Sequence, residues 1–217
     1  MADCILTGWT GVEFAKIAAH TLPLIHAYAI KHGAACGCAN LAGERPPSWM
    51  KVQAIRQALE THDRVAWIDA DVVIVDDSEN ICARLGNNWQ ALVEHQTECG
   101  MVPNCGVWVL SRQMLPVLDD VWREERFLHH WWWEQAAVLE QMGYRVTDQP
   151  TSTLDKPTTL YRLTTFLSSE WNDHPADKRR VRRPRFCHVT QYADRLSTVI
   201  KLCAGARSPA ATAAAVC

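Results

Sequence analysis

No apolar stretch in the 217 residues is long enough to cross a bilayer, which argues against an integral helical membrane protein. The opening residues Met1-Ala2-Asp3-Cys4-Ile5-Leu6-Thr7-Gly8 lack a basic segment ahead of a long apolar run. No secretory signal is read there, and a cytoplasmic location is expected. No second cysteine pair stands at ligand spacing from Cys36-Gly37-Cys38, which leaves a zinc site with His32 poorly supported. The nine cysteines are expected as reduced thiols, most of them small buried apolar residues. Internal repeats and clear linkers are also missing. One domain over residues 1–203 is expected, followed by an Ala-, Ser- and Pro-rich tail, 204–217, that is loose and non-catalytic.

Net charge is −2, but Lys178-Arg179-Arg180-Val181-Arg182-Arg183-Pro184-Arg185 holds six positive charges and so leaves −8 on the rest of the chain. A nucleic-acid binder spreads basic charge over a face, so no nucleic-acid partner is expected. One short basic run on an acidic body suits a local anion: a diphosphate, an acidic lipid head or an anionic glycan. A solvated surface loop is the plain alternative.

What is present is an acidic pair. Asp69-Ala70-Asp71 ends the apolar run Val65-Ala66-Trp67-Ile68 and precedes Val72-Val73-Ile74-Val75. In extended chain, residues two apart share a face, so both carboxylates can converge. Two like charges at the rim of a core need a positive partner, and Mg2+ or Mn2+ suits a carboxylate set. The alternative is an acidic turn in solvent.

Apolar spacing predicts a helix over residues 12–32, a strand near 34–41, a loop at Gly43–Pro47, and a helix from Trp49 to about Thr61 N-capped by Ser48. Strands ending at Asp69 and covering 72–75 follow. Further strands are expected at 89–94, 105–110 and 158–163, and helices at 113–128 and 131–142. The order is that of an α/β fold with a largely parallel sheet, whose ligands bind beyond the strands' carboxyl ends. Ten tryptophans outnumber Phe and Tyr together. Indole rings stack on the C–H faces of sugars. Trp131, Trp132 and Trp133 cannot all face one core from one helix, whereas Trp67, Trp89 and Trp108 are expected in the core.

An ordered set of short motifs carries a resemblance. Ser48-Trp49-Met50-Lys51, Trp67-Ile68-Asp69-Ala70-Asp71, Asn104-Cys105-Gly106-Val107-Trp108, Trp133-Glu134-Gln135, Trp171-Asn172 and His188 follow one another over residues 3–192. The chain resembles the GT-A-fold glycosyltransferases, in particular the family 34-type galactosyl-, mannosyl- and xylosyltransferases. The resemblance implies a Rossmann-like single domain that moves a sugar from a nucleotide diphosphate, UDP above all, to a hydroxyl of a glycan, glycolipid or other acceptor, with retention. It implies Mn2+ or Mg2+ held by Asp69, Asp71 and His188. His174 competes with His188 for that role but reads as a loop residue.

The same resemblance places Thr7 and Gly8 along the nucleotide, Lys51 at the diphosphate, and Asn104, Glu134 and Gln135 around the reacting sugar. Cys105 replaces the hydroxyl residue common in relatives, and Glu134 replaces Asp. The basic run 178–185 is read as a charged lid over the diphosphate, or as a peripheral contact. The rival enzyme is a haloacid-dehalogenase-type phosphatase with an Asp-x-Asp nucleophile. The rival non-enzyme is a module that binds a nucleotide sugar or glycan without turnover.

Overall fold

A computed structural model describes residues 2–206. Strand β1 (Asp3–Trp9) leads into helix α1 (Val12–Lys31), strand β2 (Ala35–Asn40), helix α2 (Pro47–Thr61) and strands β3 (Arg64–Ile68) and β4 (Val72–Ile74). After a 3-10 turn come β5 (Gln90–Thr97), β6 (Gly100–Ser111), α3 (Leu115–Arg123) and α4 (Glu134–Met142). The chain continues through β7 (Tyr144–Val146), β8 (Ser152–Leu154), the one-turn α5 (Thr159–Arg162), β9 (Thr164–Leu167), β10 (Phe186–His188) and α6 (Arg195–Ala206).

Six strands form the central sheet in the order β2-β1-β3-β6-β5-β9. The β1–β2, β1–β3 and β5–β9 pairings are parallel, while β6 runs against both β3 and β5. The fold is therefore α/β with a mostly parallel sheet. Alternation along the strands sends Leu6, Trp67 and Trp108 to one face, against Trp49, Val52 and Ile55 of α2. Ile5, Ala66, Ile68 and Val107 go to the other, against Ile25, Tyr28 and Ala29 of α1. Both faces are covered, which explains the near-continuous apolar runs of β1 and β3.

Several expected boundaries move. Helix α2 starts at Pro47 with Pro46 in the cap position, so Ser48 lies inside the helix; proline at the first helical position has no N–H to leave unpaired. The helix expected over 113–128 shortens to α3, and the one over 131–142 shortens to α4, because Trp131–Trp133 lie in turns. Residues 158–163 form a turn of helix rather than a strand: Thr158 caps it through its side chain, and β9 follows. Residues 204–206, expected in the loose tail, close α6, and the remainder of that tail lies outside the described residues. Pro23 sits within α1 without ending it. Trp67 and Trp108 are fully buried, whereas Trp89 is only partly so.

A polar relay crosses the sheet from β6 through β5 to β9. Trp108 Nε1–H donates to Gln90 Oε1 at 2.7 Å, and Gln90 Nε2 donates to Thr164 Oγ1 at 2.9 Å, tying β6, β5 and β9. All three groups are buried, so each unmade bond would be costly. The expected effect of Gln90→Ala is a loss of about 3 kcal/mol from the orphaned indole N–H and the cavity together, read as a lower urea midpoint at unchanged slope.

Candidate functional site

The carboxyl ends of β1, β3 and β5 and the first half of β6 border a cavity of ≈ 590 Å³. Asp69 and Asp71 reach it from the β3–β4 connection, which is a turn rather than extended chain: Val72 N–H donates to Asp69 O at 3.0 Å. The carboxylates converge because the backbone folds, not because alternate residues share a strand face. Each peptide of the turn is fixed. Asp69 N–H donates to Gly106 O, Thr21 Oγ–H to Ala70 O, and Val189 N–H to Asp71 O, at 2.8–2.9 Å. Trp67 Nε1–H holds Asp69 Oδ1 at 2.6 Å.

Antiparallel pairing of β10 with β4 sets His188 opposite Val72, beside Asp71. Its Nε2 lies 3.4 Å from Asp71 Oδ1 and 3.9 Å from Asp69 Oδ2. A hydrogen-bond relay assigns the tautomer. Gly106 N–H and Asn172 Nδ2–H both donate to Asn104 Oδ1, which turns Asn172 Oδ1 toward His188 Nδ1 at 3.1 Å. Nδ1 must therefore carry a proton, which aims Nε2 at the two carboxylates. One ligand atom from each of Asp69, Asp71 and His188 lies within 4.8 Å of the others. The donor set of two carboxylate oxygens and an imidazole nitrogen fits a divalent cation such as Mn2+ or Mg2+. Gly106 is required by space, since a Cβ there would lie 2.3 Å from His188 Cε1. Burial opposes the charge on Asp71, but His188 and Arg195, 3.7 Å from Oδ2, outweigh it and hold the carboxyl below its ordinary range.

Beside this group lies a buried ion cluster. Lys51 Nζ is 2.5 Å from Glu134 Oε1 and 3.7 Å from Asp69 Oδ1, and it donates to Cys105 O at 3.3 Å. Burial disfavours the Lys51 charge, yet Asp69 and Glu134 together overcome it and raise its pKa. Gln135 Oε1 accepts the Cys105 N–H at 3.1 Å, leaving its amide NH2 on the cavity side. Helix α4 starts at this wall, with Trp133 in its cap position at φ 44°, ψ −126°, a conformation that favours glycine.

Gly8, Lys51, Asp69, Asp71, Asn104, Glu134, Gln135 and His188 all line the cavity. Thr7 does not: its side chain is buried behind the strand, and Gly8, Trp9 and Thr10 form that wall. None of residues 178–185 lines the cavity either. Arg180 is bound by Asp173, Arg185 by Asp76, Glu79 and Glu170, Lys178 by Glu98 and Arg179 by Asp177, so the run braces the C-terminal segment instead of covering the cavity. Arg182 and Arg183 are exposed. Cys36 and Cys38 are exposed on the edge strand β2 and belong to no candidate metal group among the described residues. Trp131 and Trp133 are exposed at the rim, and Trp132 is half-buried in the same wall.

Sequence reasoning missed Arg195, His95 and the positioning role of Asn172. Arg195 is an isolated basic residue outside the basic run, and His95 lies within strand β5; neither leaves a local signal. The phosphatase reading needs its Asp-x-Asp after the domain's first strand, whereas here the pair follows the third.

No family model matches the sequence, and no curated protein is similar to it. The fold is that of several solved glycosyltransferases. One, involved in glycosylation of the major capsid of PBCV-1, matches with a TM-score of 0.70 at 18% identity, over 93% of this chain and 100% of its own. The bifunctional WbbM matches with a TM-score of 0.57 at 14% identity, over 96% of this chain and 50% of its own. Mouse xyloside xylosyltransferase 1 matches with a TM-score of 0.52 at 11% identity, over 88% and 98% respectively. What these likenesses show is a shared GT-A architecture.

Two buried histidines on the cavity wall set an acid limit to stability. Burial lowers the pKa of His95 below its ordinary value; burial, with His188 and His95 nearby, pushes that of His174 down to about 3. Once the pH falls below about 6.5, the unfolded chain binds protons that these rings refuse in the fold. Stability is expected to decline from there until the folded rings protonate, by up to about 1.4 kcal/mol per pH unit for each ring. Urea midpoints between pH 7.5 and 4.5, with chelator present, should show this slope, shallower in His174→Gln and flat above the window.

Proposed function

We propose that this chain is a metal-dependent glycosyltransferase that moves a sugar from a nucleotide diphosphate, most simply a UDP-sugar, to an acceptor hydroxyl. One observation carries the reading: a histidine nitrogen aimed by the Asn172–Asn104 relay faces two carboxylates on the wall of a sugar-sized cavity. Asp69, Asp71 and His188 would hold Mn2+ or Mg2+, and the ion would stabilise the charge gathering on the leaving diphosphate. Arg195, half-buried on the cavity wall beside Asp71, suits the same diphosphate. Gly8, Trp9 and Thr10 suit the flat base and ribose.

Lys51 and Glu134 neutralise each other, so Glu134 serves to hold Lys51 and Asp69 in place and is ill suited to attack the anomeric carbon. The amide groups of Asn104 and Gln135 are anchored through their oxygens, which leaves NH2 groups to orient sugar oxygens. Retention, implied by the family resemblance, accords with a wall that offers amides where a second free carboxylate would otherwise stand. The exposed indoles of Trp131 and Trp133 suit the C–H face of a glycan acceptor.

Nucleotide release from UDP- and GDP-sugars, with Mn2+ and with chelator, tests the reaction. Release by the wild type that needs metal, and its loss by a thousandfold or so in Asp71→Ala at unchanged far-UV signal, is the expected result. An active Asp71→Ala enzyme would sink the metal assignment, and metal-dependent UDP binding with no release would indicate a binding module. The relay makes a separate prediction. Asn172→Ala should weaken Mn2+ binding about 10- to 100-fold, because His188 loses the partner that fixes its tautomer; titration calorimetry reads the affinity directly.

A further inference from the structure

A second oriented imidazole lies deeper in the cavity wall, and neither the cation group nor the amide cluster uses it. His95, near the end of β5, lines the cavity yet is only 2% exposed. Its Nδ1 lies 2.9 Å from Asp177 Oδ2. That carboxylate is itself fixed on every side. Ser169 Oγ–H donates to Oδ2 at 2.8 Å, and the backbone N–H groups of Gln96 and Arg179 donate to Oδ1 at 3.2 and 2.9 Å. Such a donor set holds Asp177 ionised, well below the usual carboxylate range even against burial. An ionised carboxylate can only accept, so His95 carries its proton on Nδ1 and leaves Nε2 as a lone pair. That Nε2 is buried and has no hydrogen-bond partner among the described residues.

The neighbouring ring does not supply one. His174 lies 5.0 Å away between ring centroids at a tilt of 34°, and its Nδ1 accepts the Ala176 N–H. The titratable and charged groups around His95 are Asp177, Arg179 and His174, with His188 a further ring beyond, 5.4 Å from His174. The orphaned lone pair is thus two rings from the proposed cation group, about where the sugar of a bound nucleotide sugar, or the acceptor it meets, would sit. A buried acceptor left unmade costs about 1–3 kcal/mol, and a hydroxyl donor from a ligand removes that cost.

We propose that His95 Nε2 accepts a hydrogen bond from a sugar hydroxyl, with Asp177 as the positioning residue that fixes its tautomer. The inference rests on the glycosyltransferase reading and adds to it a specificity contact for one sugar substrate. It calls for a hydroxyl donor at that position and rejects a deoxy or O-methyl sugar, because each leaves Nε2 unpaired.

Two substitutions separate the contact from packing. His95→Asn keeps an N–H for Asp177 and removes the distal edge of the ring, Nε2 together with Cε1. Asp177→Asn keeps the volume but can donate to Nδ1, which drives the proton to Nε2 and turns the acceptor into a donor. With UDP-sugars as donors and free mono- and disaccharides as acceptors, both variants should raise the KM for one substrate about tenfold, the loss of one hydrogen bond. The other substrate's KM and the Mn2+ affinity should stay within twofold. A rise confined to the donor assigns the hydroxyl to the transferred sugar, and one confined to the acceptor assigns it there; titration calorimetry of the UDP-sugar reads the donor arm without turnover. Nitrogen-15 shifts of His95 should show the Nδ1–H form in the wild type and the Nε2–H form in Asp177→Asn. Folded variants with both KM values unchanged would overturn the proposal, as would a loss shared by both sugars and Mn2+. Absence of any metal-dependent release or sugar-nucleotide binding by the wild type would instead defeat the glycosyltransferase reading.

Discussion

Two carboxylates brought together at the rim of an apolar sheet repel each other, and the geometry around the cavity answers that repulsion. Asp71 is almost fully buried, so its charge is tolerable only with a positive or hydrogen-bonding counterpart on hand. The fold supplies Arg195 on one side and His188 on the other. Asp69, Asp71 and His188 together form a donor set that a divalent cation fits. Strand β6 serves the same group. Its first half carries Asn104, which locks the histidine through Asn172, and Gly106, whose missing side chain leaves room for the imidazole.

A second layer of charge is balanced internally. Lys51 and Glu134 are both buried and 2.5 Å apart, and breaking either half would strand the other at a cost of about 3–5 kcal/mol. The pair joins α2 to the start of α4 beneath the cavity and shares its lysine with Asp69. Charge at this site is thus divided: the Lys51 pair is committed to the fold, while Arg195 and the Asp–Asp–His group face the open volume. The basic run 178–185 obeys the same economy, since four of its six charges are absorbed by named carboxylates.

How legible was this in the sequence? The parallel half of the sheet was, because α1 and α2 carry apolar residues at helical spacing, β3 is a short apolar run, and Gly33, Gly43 and Pro46-Pro47 punctuate the chain between them. Asp69, Asp71 and His188 emerged from motif order, and the structure brings them into one group. The misreadings share a cause. Thr158–Leu163 is β-branched and aromatic like a strand, yet Thr158 caps a single helical turn there through its side chain. Trp131–Trp133 looked helical by apolar content, but three indoles in a row have no common face, and the chain turns instead. Charge was least legible of all. A run of arginines looks available until its partners are known, and those partners come from positions as distant as Asp76 and Glu98. His95 gives no sign of its neighbour Asp177, 82 residues away.

Backbone strain marks the same cavity independently of charge. Among the described residues, the non-glycine positions with positive φ are Trp133 and Gln191, and both line it. Trp133 is the sharper case, since φ 44° with ψ −126° lies outside the left-handed helical region that side chains can visit. Such a conformation costs on the order of 1–3 kcal/mol and persists only where the surroundings enforce it. Here the enforcing contacts are local. Gln135 N–H donates to Trp132 O, and Trp132 N–H is held by the His130 ring, itself anchored to Thr147 O. The outcome is a helix that begins abruptly, so that Glu134 and Gln135 reach the cavity from its first turn, next in the chain to an exposed indole. A glycine at 133 would relieve the strain and remove the indole. That a bulky ring occupies a position the backbone reserves for glycine is hard to explain by stability, and it accords with a ring kept for contact with a ligand.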